Sequence, residues 1–426
     1  MIERDIIGIF GKMNSGKSSL MNLLTQQETS IVDSAPGTTA DSKIAMIELH
    51  GLGPVKLIDT AGFDEPSALG DKKRNKIQAA LKECDLALLV IDPSTKDFEN
   101  ELKLVKQAYE IDKQLMLVFN LFADQDQVRI DQIQLFLNAM GPCSATILHA
   151  INLEARQPFI ASIIQNYIPR NLSVDLLPFV ESGEFYILNI PMDQETPLER
   201  YLKPQAMAEA YITRKWAYPV SYRMDLQKAR GGDRFERARW DFFMANFTKK
   251  PKAIITDSQA IDILSEWVPD DILVTTFSVM MINYTSLARL HDFVNGIEAL
   301  KTITSGEEVL IAEACNHSRI NEDIGTVQIP NLIKKMYPGV VVKHVFGREM
   351  FDAIDFSRVK LVIHCGGCMI SNQRMAARLR DLKRLGIPIT NYGIFLALMQ
   401  GEEVLHRVVA PWVDSNSQIR SKGFEI

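Results

Sequence analysis

Residues 11–18 read Gly-Lys-Met-Asn-Ser-Gly-Lys-Ser, the GxxxxGKS spacing of a phosphate-binding loop. Glycines let such a loop wrap tightly, so that its backbone N–H groups converge on phosphate oxygens, and the helix that follows adds its positive end. Gly11, Ser15, Gly16, Lys17, Ser18 and Ser19 form the expected contact set. Lys17 supplies a mobile charge for the β- and γ-phosphates, and the Ser18 hydroxyl can sit on Mg²⁺. A second segment, Asp59-Thr60-Ala61-Gly62, follows a short apolar run. Asp59 can hold Mg²⁺ through water, and Gly62 can offer its N–H to a γ-phosphate. Between the two, Pro36-Gly37-Thr38-Thr39 presents Thr38 as a further hydroxyl for Mg²⁺ once a γ-phosphate is bound.

A second constellation lies near the other end. Glu313-Ala314-Cys315-Asn316-His317 and His364-Cys365-Gly366-Gly367-Cys368 are separated by 46 residues, counted from His317 to His364. A C-x-x-C pair lets two thiolates reach one metal, and paired glycines permit the tight turn. With Cys315 as a third thiolate, the set suits zinc or an iron–sulfur cluster with one exchangeable iron. A redox dithiol at Cys365 and Cys368, or plain packing, are the other readings. Cys84 and Cys143 stand alone and are expected to be buried small hydrophobes.

The elements that must position these residues follow from the pattern of apolar runs. Strands are predicted at 6–10, 55–58, 86–91 and 115–119, with helices after the phosphate loop, at 72–83, at 99–110 and up to about 168. That alternation predicts a doubly wound α/β domain over 1–170, with its ligand at the carboxyl ends of the strands. Residues 171–265 carry no catalytic motif. They are expected to hold a strand at 185–191, a helix over 196–216 interrupted near Pro204, a basic stretch at 227–240 that reads as a solvated loop or an interface, and a strand at 253–256. Strands at 272–278, 309–314, 340–346 and 361–368, then a helix near 371–385 and a short segment at 387–389, predict a second parallel-sheet domain over 266–426.

GKMNSGKS, PGTTAD and DTAG together resemble the TrmE–Era family of small GTPases. The resemblance implies GTP hydrolysis, Mg²⁺ as cofactor, and a position after DTAG, here Phe63, that offers no side chain to orient the attacking water. It also gives catalytic roles to Lys17, Asn14, Thr38 and Gly62. Asn14 is the residue that accompanies a bound K⁺ in members that use one. Asn120 keeps the first position of the base-recognition motif, but the segment reads Asn120-Leu121-Phe122-Ala123 with Asp124 one residue late, and His149-Ala150 stand where a Ser-Ala pair usually borders the base. These departures weaken guanine selectivity.

The GTPase third joined to Cys-x-His … His-Cys-x-x-Cys is similar to the HydF family of [FeFe]-hydrogenase maturation GTPases. That resemblance implies a scaffold: a [4Fe–4S] cluster on Cys315, Cys365 and Cys368, and a diiron precursor received as cargo and delivered to the hydrogenase. It implies two radical-SAM maturases as further partners and a homodimer formed through 171–265. Glu313, His317 and His364 are its candidates for the fourth cluster position. Glu313 lies two residues before Cys315, so an extended segment puts both side chains on one face.

The 426 residues carry 53 acidic and 47 basic side chains, a net charge of -6, which argues against a protein built to grip nucleic acid. No uncharged apolar run reaches about 18 residues, so no membrane span is expected. The sequence opens on an apolar strand, so no leader is expected, and five cysteines are few and odd in number. Both point to the cytoplasm. Two alternatives stand beside the scaffold: a nucleotide-regulated RNA or ribosome assembly factor, and a thiol oxidoreductase.

Overall fold

The computed structural model describes residues 4–26, 43–62, 70–123, 128–167, 174–192, 201–314, 323–347 and 354–413. The chain divides into two compact units, Met1–Asn171 and Leu172–Ile426. The class is α/β throughout, with a phosphate-loop domain first and parallel sheets after it.

The first unit runs β1 (Asp5–Gly11), α1 (Lys17–Thr25), β2 (Lys43–Leu49), β3 (Gly53–Asp59), α2 (Gly70–Glu83), β4 (Leu86–Ile91), α3 (Glu99–Glu110), β5 (Gln114–Asn120), α4 (Ile130–Leu137), β6 (Ser144–Leu148) and α5 (Arg156–Asn166). Its strands lie in the order β2-β3-β1-β4-β5-β6. All are parallel except β2, which runs antiparallel to β3. Successive residues of a strand feed opposite faces. Ile7, Ile9, Leu88, Val90 and Met116 enter one core, while Phe10, Leu89, Ile91, Leu117 and Phe119 enter the other. A sheet covered on both faces needs strands that are apolar at every position, which accounts for the unbroken run at 86–91. Cys84 and Cys143 are buried in the second of these cores. The phosphate loop leaves the carboxyl end of β1, where the chain order turns from β3 to β4, the place such sheets reserve for ligands.

The second unit contains β7 (Phe185–Met192), α6 (Lys203–Arg214), β8 (Tyr218–Asp225), α7 (Leu226–Arg230), α8 (Arg234–Ala245), β9 (Ala253–Thr256), α9 (Ile261–Trp267), β10 (Leu273–Thr276), α10 (Phe277–Thr285) and α11 (Leu290–Gly296). Then follow β11 (Glu308–Glu313), α12 (Ile329–Met336), β12 (Val341–Phe346), β13 (Val359–His364), α13 (Asn372–Arg384), β14 (Ile389–Asn391), α14 (Tyr392–Met399) and α15 (Glu402–Val413). Two parallel sheets result, β10-β9-β7-β8 and β12-β11-β13-β14. One continuous core, including Ile187, Ile254, Met280, Val309, Leu361 and Phe395, runs through both.

Three sequence expectations change here. The run at 272–278, expected to open the last domain after residue 265, is β10, paired with β9 from Leu273↔Ala253 to Thr276↔Thr256. It completes the middle sheet, and Thr276 then caps α10 by accepting from the Val279 N–H. The basic stretch 227–240 is helical: Asp225 and Asp233 accept from the Lys228 and Phe235 N–H groups, starting α7 and α8 on either side of Gly231-Gly232. Side-chain caps of this kind outweigh a polar composition. The helix expected over 196–216 is described as Lys203–Arg214, residues 196–200 lying outside the described residues, and Pro204 stands at its start. In that first turn its missing N–H costs nothing.

Candidate functional site

The phosphate loop is held in shape by positions that only glycine or asparagine takes easily. Asn14 has φ 63° and Gly16 φ 97°. A Cβ on Gly16 would stand 2.0 Å from Asn120 Nδ2. Lys17, buried at the start of α1, donates from Nζ to the Lys12 carbonyl at 2.6 Å, which turns its charge into the loop. Ser18 Oγ donates to Asp59 Oδ2 at 3.0 Å. The other Asp59 oxygen, Oδ1, is buried and makes no hydrogen bond within the described structure, and neither does Ser15 Oγ. Burial raises the Asp59 pKa, opposed by the Ser18 hydrogen bond and by the Lys17 and Lys43 charges. A hydroxyl touching a desolvated carboxylate with one spare oxygen fits a Mg²⁺ site, since the cation would supply the charge the carboxylate lacks. Gly62 presses on the same loop: a Cβ there would lie 2.7 Å from the Met13 nitrogen.

Asn120 ends β5 and serves as a brace. Its Nδ2 donates to the Ser15 carbonyl at 3.1 Å, and its Oδ1 accepts from the Ala150 N–H at 2.9 Å. The phosphate loop, β5 and the loop after β6 are thereby fastened together. Leu121, where the family pattern has lysine, is buried, and its carbonyl faces His149 Nδ1 at 3.1 Å. Sequence reasoning missed one further link. Lys12 Nζ lies 3.2 Å from Glu101 Oε2 and 3.9 Å from Asp97 Oδ2, and 5.8 Å from the Phe98 ring centre. It ties the loop to α3. Nothing local in the sequence marks this pair. Thr38, Phe63 and Asp124 lie outside the described residues.

In the second unit, β11 and β13 are neighbours, and their carboxyl ends bring Ala314 beside Cys365. The Cys365 N–H donates to the Ala312 carbonyl at 3.0 Å, and the Ala314 N–H donates to Cys365 Sγ at 3.3 Å. Gly367, at φ 67°, makes the turn that brings Cys368 back. Burial pushes the Cys365 thiol up to about 11, against the pull of the Ala314 and Gly367 N–H groups, and raises Cys368 as well. Such thiols are inert unless a cation replaces the proton. Paired soft sulfur donors on a glycine turn fit a zinc or iron–sulfur site. Cys315, Asn316 and His317 lie outside the described residues, and among the described residues no three His, Cys, Asp or Glu side chains form a metal-binding group.

Glu313 is buried and accepts from the Tyr392 hydroxyl at 3.0 Å. A Cβ on Gly325 would come within 1.9 Å of Glu313 Oε1, so that glycine makes room for the carboxylate. His364 has both ring nitrogens engaged. Nε2 faces Arg378 Nη1 at 2.7 Å and Nδ1 faces the Cys365 carbonyl at 2.6 Å. Burial, then the Arg378 charge, lowers its pKa to about 3. The ring is therefore neutral, with Nε2 as acceptor and Nδ1–H as donor. Arg378 and Arg374 are both buried on α13, four apart on its apolar face beside Met375, Leu379 and Leu382. That spacing is a signal the sequence does contain. Lys203, which donates to the Cys368 carbonyl at 2.5 Å, gave none.

Residues 291–411 match the hydrogen maturase F tetramerization domain, 236–285 the hydrogen maturase F dimerization domain, and 6–121 the family described as 50S ribosome-binding GTPase. GTPase Der of Chloroflexus aurantiacus is 38% identical over 138 residues, covering 29% of this chain and 30% of that protein. The tRNA modification GTPase MnmE of Natranaerobius thermophilus is 31% identical over 160 residues, covering 37% and 34%. Crystalline Aquifex aeolicus Era covers 52% of this chain and 93% of its own, at 18% identity and a TM-score of 0.32. The chain spans 30% and 34% of the length of the two curated relatives.

Proposed function

From its membership of the hydrogen maturase F family, HydF, with a TrmE–Era-like GTPase domain in its first third, we propose that the chain is a GTP-hydrolysing maturation factor for hydrogenase that carries a metal cluster at its far end. The observation that carries the first half is the Ser18–Asp59 contact next to Lys17 in the chain, which supports a site for Mg²⁺ and a triphosphate. Lys17 holds the phosphates, Ser18, Asp59 and Thr38 serve Mg²⁺, and Gly62 meets the γ-phosphate. Asn14 supports a role for K⁺. Hydrolysis of GTP by the full chain, compared in potassium and sodium buffers and against Lys17→Ala, tests this directly.

The second half is a [4Fe–4S] cluster on Cys315, Cys365 and Cys368. It is supported by the Ala314–Cys365 contact, since Cys315 is covalently next to Ala314. Such a cluster supplies an iron that can exchange ligands. Glu313 and His317 are the candidates for that position, while the two engaged nitrogens of His364 favour a supporting role. The proposed cargo is a diiron precursor, the proposed partners are the hydrogenase and two radical-SAM maturases, and the proposed assembly is a dimer formed through the middle sheet. Among the described residues no helix is long and apolar enough to cross a membrane.

A further inference from the structure

Lys203 is the first residue of α6, a helix whose Ala208 and Ile212 pack into the core that runs through both sheets of the second unit. It falls between the segments that match known families. Its side chain leaves the start of α6 and reaches the CGGC segment, where Nζ donates to the Cys368 carbonyl at 2.5 Å. Among the described residues it forms no ion pair. A half-buried ammonium with no carboxylate beside it is costly unless the site it faces carries negative charge. The carbonyl alone does not supply that charge. A second cation approaches from another element: Arg378 of α13 contacts His364, which adjoins Cys365. Cations thus reach the CxxC segment from two elements, α6 and α13, while the buried Glu313 carboxylate at the end of β11 is held by Tyr392.

We infer that Lys203 is the charge partner of the thiolate-bound metal: its ammonium balances the negative charge that metal–thiolate coordination leaves at Cys368, and so sets how readily a bound cluster takes up an electron. This rests on the metal-site reading above. An iron–sulfur cluster gains one negative charge when reduced, and nearby cations and hydrogen bonds tune that step. The lysine belongs to α6, so any shift of that helix against the CGGC turn changes the electrostatics of the metal site.

The test uses the full chain, reconstituted anaerobically with ferrous iron and sulfide, as wild type, Lys203→Met, Lys203→Gln and Lys203→Arg. Iron per chain is measured first. The one-electron reduction is then titrated with dithionite as electron donor and followed by EPR. Lys203→Met is expected to disfavour reduction about tenfold, 59 mV for a one-electron couple, with Lys203→Arg close to wild type. Lys203→Gln keeps a donor for the carbonyl without the charge, and should behave as Lys203→Met. If Lys203→Gln instead matches wild type, or all three variants titrate alike, the charge role is overturned while the metal site stands. If Lys203→Met holds no iron, the comparison is read from Lys203→Gln and Lys203→Arg by the same criterion. A wild-type chain that binds no iron overturns the metal-site reading itself, and this inference with it.

Discussion

The backbone N–H of Ala314 donates to Cys365 Sγ at 3.3 Å, joining the carboxyl ends of β11 and β13. Two segments that lie far apart in the chain therefore meet at a sulfur atom, and the next residue after Ala314 is Cys315. Parallel pairing in register, Ala312 opposite His364, fixes that meeting. The metal-binding proposal depends on it.

Removing one sulfur separates a cluster from a dithiol. Cys315→Ala, Cys365→Ala and Cys368→Ala are each expected to lose most of the iron bound by the reconstituted wild type, with GTP turnover retained. Iron analysis beside a phosphate-release assay reads both. Full iron retention by Cys315→Ala would leave the site with the CxxC pair alone.

The nucleotide site should respond independently. Lys17→Ala removes the charge that meets the phosphates and is expected to lower kcat/KM for GTP by about 100-fold or more. Iron content should stay at the wild-type level. Loss of both properties in this variant would contradict a division into two sites.

Asn120→Ala breaks both halves of the brace, the bond to the Ser15 carbonyl and that from the Ala150 N–H. It leaves two buried backbone groups unsatisfied. The expected loss is about 2 kcal/mol in the stability of the first unit, with weaker nucleotide binding. Urea unfolding with and without GDP measures each part, and an unchanged midpoint would contradict the bracing role.

Glu101 gives a pH signature. Burial raises its pKa above the ordinary 4.5, only partly opposed by Lys12. A raised carboxyl favours the protonated fold, so this group's contribution to stability is fully present below 4.5 and is lost as pH rises through the folded value. Wild type should therefore show a fall in stability above 4.5 that Glu101→Gln lacks. Parallel unfolding curves for the two proteins across that window would contradict the assignment.

What could be read in advance depended on whether the cause was local. Gly16 and Asn14 sit at left-handed positions that their residue types announce, so the phosphate loop was legible from spacing alone. The apolar runs gave β1, β4 and β5 because those strands are buried on both faces. The role of β10 was not legible: Leu273–Thr276 reads as a short strand that would suit either sheet, and only pairing with β9 decides between them. The helices α7 and α8 hid behind arginines, and the Asp225 and Asp233 side chains that start them went unread. Lys203, Tyr392 and the Lys12–Glu101 link are tertiary. No pattern along the chain relates Lys203 to Cys368, and the contact exists because the middle and last sheets share one core.

The most direct test of the central claim is metal analysis of anaerobically reconstituted protein with EPR after dithionite reduction. A site on Cys315, Cys365 and Cys368 predicts about four irons and four sulfides per chain and the signal of a reduced [4Fe–4S] cluster. A colourless protein holding one tightly bound zinc, or no metal at all, would contradict it.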